Sequence, residues 1–121
     1  MATTITGTEG VDKVQDGSIH EEDINADVAR IGIGQTWQNV TGSRALDTPY
    51  TNTTGKPIFV YILASVTSTT TFLVQVDTVQ IHNQVLASTG STVGACSFIV
   101  PNGSTYTASN TNGLARWSEL R

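Results

Sequence analysis

From residue 34 onward, the apolar and polar positions follow the short alternating rhythm of β-strands. Stretches rich in Val, Ile, Thr and aromatic residues are separated by Gly, Pro, Asn and Ser clusters about every 8–12 residues, a spacing typical of sandwiches. The predicted strands cover residues 35–40, 43–52, 58–66, 69–79, 80–86, 93–100, 105–109 and 114–120. We therefore predict an all-β domain, a β-sandwich or jelly-roll-like fold, over residues 34–121.

The run IFVYILASV at 58–66 is apolar at nearly every position, unlike its neighbours. A strand of this composition has both faces covered by its own domain, or one of them covered by a neighbouring subunit. In contrast, Pro49 limits the 43–52 stretch to an edge or irregular path, because proline cannot donate a ladder hydrogen bond. The sequence therefore places 58–66 at the centre of the core.

Residues 1–33 form a separate N-terminal region with a different pattern. The first ten residues are polar and punctuated by glycine, which predicts an extended arm that orders against a partner. Ser18 and Glu21 then match a capping box, which predicts the start of a short helix. Three branched apolar residues follow at spacings of four and three on one face of this helix: Ile24, Val28 and Ile31. This face packs either on the chain's own β domain or on copies of itself, and its narrow seam favours self-association as a trimer.

Composition and charge agree with this division. The chain has 20 Thr and 10 Ser, and Thr together with β-branched apolar residues favours extended backbone. Residues 1–27 hold seven carboxylates and one lysine, whereas the remainder carries a small positive excess, so the two regions are expected to have different tasks. The overall net charge of −4 argues against a surface that follows nucleic-acid phosphates.

No stretch has the pattern of a membrane span or a signal peptide. The longest apolar run, 58–66, is far shorter than the roughly 20 residues that a membrane-crossing helix needs. The N-terminus lacks the basic residues and apolar run of a signal peptide, so we expect synthesis and retention in the cytoplasm. The single Cys96 forms no internal disulfide and is expected to be a small buried hydrophobe.

Candidate catalytic chemistry is sparse. Neither His20 nor His82 has the context of a nucleophile or of metal ligands. Outside the acidic N-terminal region only Asp47, Asp77 and Glu119 remain, and their positions do not suggest the carboxylate pair of a glycosidase. We therefore expect no enzyme, no cofactor and no metal site, and a carbohydrate-active enzyme is the least favoured function.

Aromatic and amide side chains suggest a binding module instead, because sugar rings stack on aromatic faces while their hydroxyls hydrogen-bond to amides. Trp37 and Trp117 are expected to be buried between the sheets. The candidates for glycan binding lie in predicted loops and strand ends: Tyr50, Asn52, Asn102, Tyr106, Asn110 and Asn112. The alternative is that both tyrosines pack at the ends of the sandwich or between subunits.

Two stretches resemble a known family. The run IGIGQTWQNVTGSRALDTPYTNTTGKPIFVYI at 31–62 and the ending LARWSELR at 114–121 are similar to the small C-terminal β domain of tail-fibre and related tail proteins of tailed bacteriophages. The VPNGSTY turn at 100–106 belongs to the same pattern, and the resemblance covers about 90 residues.

This resemblance implies a homotrimeric β-sandwich protein on the virion surface, made in the bacterial host cytoplasm. Residues 1–30 would dock it on other virion proteins, in the tail or on the capsid. As a tail-fibre or tail-tip component it would bind a host-surface glycan. The alternative is a capsid decoration protein with a stabilising role only.

Overall fold

The computed structural model describes residues 30–87 and 92–121, and this part of the chain forms eight β-strands and a short 3-10 turn at Thr41–Ser43. The strands are β1 (Trp37–Asn39), β2 (Tyr50–Thr51), β3 (Ile58–Val66), β4 (Thr70–Val76), β5 (Val79–Leu86), β6 (Thr92–Val100), β7 (Thr105–Ser109) and β8 (Leu114–Leu120).

The strands form two four-stranded antiparallel sheets. Sheet A has the order β1-β8-β3-β6, and sheet B has the order β2-β7-β4-β5. Strand β3 pairs with β6 along its whole length, from Ile58 opposite Val100 to Val66 opposite Thr92, and with β8 on its other side. For the described residues, the prediction of an all-β domain is confirmed, and the two antiparallel sheets are consistent with a β-sandwich.

The hydrophobic core lies between the two sheets and follows from strand alternation. Successive side chains of a strand point to opposite faces, so every second residue of β3 is buried. Sheet A contributes mainly Ile58, Val60, Ile62, Phe98, Val100 and Trp117. Sheet B contributes Phe72, Val74, Tyr106 and Ala108.

The intervening side chains of β3 are only half-buried, although they are also mostly apolar. They include Phe59, Tyr61 and Leu63 on the outer face of sheet A. Of the two predicted alternatives, coverage of both faces of β3 by the chain's own domain is not found within the described residues. Coverage by a neighbouring subunit stays a prediction.

A tight hairpin joins β4 to β5 and divides a stretch that the sequence predicts as one strand over 69–79. Its two central residues, Asp77 and Thr78, have φ angles of 49° and 70°. Two successive positive φ angles match the right-handed twist of the flanking strands. The Asp77 carboxylate accepts a hydrogen bond from the Thr105 backbone N–H at 2.9 Å, which fixes the hairpin against β7.

The predicted N-terminal helix lies largely outside the described residues, as do Ile24 and Val28. Ile31 lies in a turn at 31–34 and is 39% exposed. The helix therefore does not extend to Ile31, and the prediction of Ile31 on a helical seam is wrong. Gln35 fixes this turn, since its Oε1 accepts from Gly32 N at 2.6 Å and its Nε2 donates to Pro57 O at 2.9 Å.

Candidate functional site

The six residues predicted to bind glycan do not form one cluster. Asn102 precedes β7 and lies near the loop that contains Asn52, because its Oδ1 accepts from Gly55 N at 3.0 Å. Asn110 and Asn112 follow β7 at the opposite end of the sandwich. The five residues of β7 separate the two groups by about 17 Å, at roughly 3.3 Å per residue.

Three of the six are buried and have internal partners. The Asn52 amide donates to the Lys56 and Val100 carbonyls at 2.7 and 3.0 Å. The Asn110 amide donates to two backbone carbonyls, and its Oδ1 accepts from a threonine hydroxyl. Tyr106 is 2% exposed. The expectation that Asn52, Tyr106 and Asn110 present polar or aromatic surface to a ligand is therefore wrong.

The other three also hold loops in place. Asn112 is half-buried, and its amide donates to the Ser68 carbonyl at 2.6 Å. Tyr50 is half-buried as well, its hydroxyl accepts from Ala45 N at 2.8 Å, and the Arg44 guanidinium lies 4.6 Å from its ring centroid. Only Asn102 is exposed. Asn and Asp side chains commonly close turns in this way.

A buried carboxylate joins the 43–50 segment to the sandwich. Glu119 on β8 is fully buried and accepts five hydrogen bonds. Arg44 donates from Nε and Nη2 at 2.9 and 3.1 Å, and Arg121 donates from Nη1 at 2.9 Å. The Tyr106 hydroxyl and the Trp117 indole N–H donate to Oε1 at 2.7 and 3.1 Å. Trp117 is fully buried, as predicted.

This network sets the protonation of its members. Burial raises the pKa of Glu119, but the hydrogen bonds from Arg44 and Tyr106 and the charges of Arg44 and Arg121 outweigh it, so the pKa lies below its ordinary value. Burial and the neighbouring carboxylate raise the pKa of the Tyr106 hydroxyl. Glu119 is therefore an ionised structural anchor, with no free lone pair for proton transfer to a substrate.

His82 and Cys96 also have structural surroundings. The His82 ring packs edge-on against Phe72 with a centroid distance of 5.2 Å, and its Nε2 has no partner within the described residues. Cys96 is half-buried against the core, and burial raises the pKa of its thiol. A raised thiol pKa keeps the sulfur protonated and weakly nucleophilic.

The outer face of sheet A carries an open depression of ≈ 570 Å³. Its floor contains aromatic rings from two strands that β8 separates: Trp37 on β1, and Phe59 and Tyr61 on β3. Trp37 is 55% exposed and meets the Phe59 ring edge-on, with centroids 5.7 Å apart. The two rings come together because Trp37 of β1 and Phe59 of β3 are both paired with Leu120 of β8, the strand between them.

The expectation that Trp37 is buried is wrong. Trp37 is paired with Leu120, as Phe59 is, so its side chain lies on the outer face of sheet A, which sheet B does not cover. The other two residues of β1, Gln38 and Asn39, are exposed as well.

Polar side chains line the same depression. They are Gln38, Asn39, Ser97, Arg116 and Ser118. Arg116 is exposed and has no hydrogen-bond or ion-pair partner within the described residues. In contrast, Asn39 is held in place, since its Oδ1 accepts from the Thr41 hydroxyl at 2.7 Å. The site thus combines apolar ring surface, neutral hydrogen-bonding groups and one guanidinium.

A second depression, of ≈ 490 Å³, lies on sheet B. Its lining includes Pro49, Gln75, Asp77 and three threonines, without an aromatic ring. It therefore lacks the stacking surface of the depression on sheet A.

Within residues 30–87 and 92–121, no three His, Cys, Asp or Glu residues are arranged to hold a metal ion. In the same residues, no helix is long and apolar enough to cross a membrane. No protein-family model matches the chain, and no curated protein matches it. The likeness to phage tail-fibre domains therefore stays a prediction from the sequence pattern.

Proposed function

We propose that this chain is a non-enzymatic bacteriophage virion protein, a tail-fibre or tail-tip component that binds host-surface carbohydrate. The binding site is the depression on the outer face of sheet A. The single observation that carries this proposal is the exposed Trp37 ring, supported edge-on by Phe59 and surrounded by hydrogen-bonding side chains.

The depression fits a saccharide chemically. A sugar presents C–H faces that stack on an aromatic ring and hydroxyls that need hydrogen-bond partners. Trp37 offers the ring, and Ser97 and Ser118 offer hydroxyls. Arg116 adds a cation, and a guanidinium forms paired hydrogen bonds with carboxylates. The preferred ligand is therefore a carboxylate-bearing sugar.

The resemblance and the depression involve the same strands. The stretches similar to tail-fibre domains, 31–62 and 114–121, contain β1, β2, the first five residues of β3 and all of β8. Strands β1, β3 and β8 supply most of the lining of the depression. The proposed attachment function and the proposed site thus rest on one part of the sheet.

A capsid decoration protein is the second candidate function. The observation that favours it is that β5 and β6 carry five exposed apolar side chains, which suit packing against neighbouring virion subunits. Docking through residues 1–30 is part of both proposals, and all of these residues except Arg30 lie outside the described part of the chain.

Titration of the purified chain with neutral and carboxylate-bearing saccharides tests the site. We expect Trp37→Ala to weaken binding about two- to tenfold, because an aromatic stacking contact contributes about 0.5–1.5 kcal/mol. Arg116→Gln is expected to weaken binding of the carboxylate-bearing sugars alone.

The matched control is Val85→Ala, which shortens an exposed apolar side chain on sheet B that does not line the depression. It should bind saccharides as the wild type does. Equal affinity of the wild type and Trp37→Ala, or no binding to any saccharide of the panel, would contradict the proposal. The unfolding midpoints of all variants are measured in parallel, so that weaker binding caused by loss of the fold is recognised.

A further inference from the structure

The side chains on the outer face of sheet A form rows that run across its four strands. Paired residues of neighbouring strands lie side by side, and their side chains point to the same face of the sheet. The first row is apolar, and each member is paired with the next: Trp37, Leu120, Phe59 and Ile99. Ile99 is 53% exposed and lies beyond the lining of the depression. The apolar surface therefore continues from Trp37 to the last strand of the sheet.

The second row is polar. It lies two residues further along each strand, about 7 Å from the apolar row. Its members are Asn39, Ser118, Tyr61 and Ser97, again each paired with the next. The side chains of Ser118, Tyr61 and Ser97 form no hydrogen bond within the described part of the chain. Their hydroxyls are therefore available to a ligand.

A third row supplies charge. Arg116 on β8 is paired with Leu63, and Leu63 is paired with Ala95 on β6. Arg116 is exposed and follows the polar row at a distance of two residues from Ser118. A carboxylate of a ligand that lies on the polar row would therefore meet a guanidinium on one side.

The first two rows extend from one edge of the sheet to the other. Strands β1 and β6 are the outermost strands of sheet A among the described residues. Three spacings between neighbouring strands make each row about 14 Å long. A single sugar ring is too short to contact Trp37 and Ile99 together. Because no further described strand lies beside β1 or β6, a longer ligand can continue past both ends of the rows.

The two rows together favour a saccharide over an apolar protein surface. An apolar surface that covered this face would bury the free hydroxyls and the Arg116 guanidinium without partners, which costs free energy. A sugar chain presents C–H groups and hydroxyls along its whole length, so it matches both rows. Carboxylates on the chain add paired hydrogen bonds to the guanidinium.

We infer that the site binds an internal stretch of an acidic polysaccharide, which lies across the strands from Trp37 to Ile99. The inference rests on the proposed carbohydrate function and specifies its ligand. The C–H surface of the sugar chain contacts the apolar row, its hydroxyls hydrogen-bond to the polar row, and its carboxylates point toward Arg116. Ile99 and Ser97 of β6 are then binding residues at the opposite end of the site from Trp37.

Calorimetric titration of the full chain with saccharides of increasing length tests the inference. The probes are oligogalacturonates and oligosialates of one to six units. For the series that binds, the affinity should rise with length until the saccharide spans the row of about 14 Å, and then stay constant. The high-molecular-weight polymer of the same sugar should compete with the hexamer at equal sugar concentration, because the site accepts internal units.

Ile99→Ala tests the end of the site on β6. It should weaken hexamer binding about fivefold, since less apolar surface is covered, and leave the monosaccharide affinity unchanged. Ser97→Ala, which removes one exposed hydroxyl, should also weaken binding of the hexamer alone. Trp37→Ala should weaken binding at both lengths. The matched control is Ile81→Ala on β5 of sheet B, which is 43% exposed and should bind as the wild type does.

The outcomes separate this inference from the proposed function. An affinity that does not depend on length, or wild-type hexamer affinity in both Ile99→Ala and Ser97→Ala, would overturn the inference and leave carbohydrate binding in place. Competition by the hexamer without competition by the polymer would indicate a site for chain ends and would overturn it as well. Failure of both acidic series to bind would also overturn the inference, whereas the proposed function is contradicted when the neutral saccharides fail too.

Discussion

Replacing Glu119 with glutamine tests how the 43–50 segment is held against the sandwich. The carboxylate is fully buried and accepts five hydrogen bonds, three of them from Arg44 and Arg121. A glutamine amide has a single acceptor oxygen, and its NH₂ group would face donors. Arg44 would then keep a half-buried charge without its partner.

The expected loss follows from this burial. Removing one member of a buried ion pair costs about 3–5 kcal/mol, because the remaining charge is uncompensated. One kcal/mol shifts the melting temperature of a domain of this size by roughly 4 °C, so Glu119→Gln should melt about 10–20 °C lower. The segment between Arg44 and Tyr50 should also become more accessible to protease, since Glu119 is its main polar attachment.

Urea unfolding at pH 7, followed by far-ultraviolet circular dichroism, measures the loss. The matched control is Asp47→Asn, which removes the same charge from an exposed residue. Asp47 has a φ of 59°, a conformation that asparagine tolerates, so the control should lie within about 0.5 kcal/mol of the wild type. If Glu119→Gln unfolds at the same urea concentration as Asp47→Asn, the network does not hold the segment and our reasoning is wrong.

Two further predictions concern stability. Folding lowers the pKa of Glu119, so the stabilisation by the ionised carboxylate is present above its ordinary pKa of 4.5 and is lost as the pH falls through its pKa in the folded state. The urea midpoint of the wild type should therefore drop on acidification. The midpoint of Glu119→Gln should drop less. An alanine at Gly94 would place its Cβ against the buried Leu86 side chain. Gly94→Ala should therefore reduce the free energy of unfolding by about 1–3 kcal/mol in the same assay. An unchanged urea midpoint would contradict this and show that Leu86 has room to move.

Local pattern was sufficient to predict most strands. The sequence predicts 58–66, 105–109 and 114–120 with the bounds that the structure has, and β6 differs by one residue. The strands β3, β6 and β7 are rich in β-branched residues, β8 is bounded by Leu114 and Leu120, and all four follow a Gly, Asn or Pro turn, so the local signal and the tertiary environment agree. The 69–79 stretch was not divided, because Asp77-Thr78 lacks the glycine that commonly marks a two-residue hairpin.

The exposure of side chains was harder to predict, because it depends on strand register. Trp37 and Trp117 both lie in alternating stretches, but Trp37 shares the outer face of sheet A with Phe59, whereas Trp117 is paired with the buried Ile62 on the inner face. Asn52 and Asn110 have the composition of exposed turn residues, but the backbone carbonyls that bury them come from distant segments. Pairing between residues far apart in the chain decides these cases.

The buried carboxylate was equally hidden in the sequence. Glu119 follows Trp117 by two residues and therefore shares its inward face on β8. Arg44, which donates two of the five hydrogen bonds that Glu119 accepts, lies 75 residues earlier, and nothing local connects the two. The same long-range register assembles the depression on sheet A from β1, β3 and β8.

Electron microscopy of virions labelled with an antibody against this chain tests the proposed function most directly. The account predicts label at the tail, where a carbohydrate-binding tail component meets the host surface. Label distributed over the capsid would contradict the tail assignment and support the decoration role. Particles that contain no label at all would contradict the proposal that this is a virion protein.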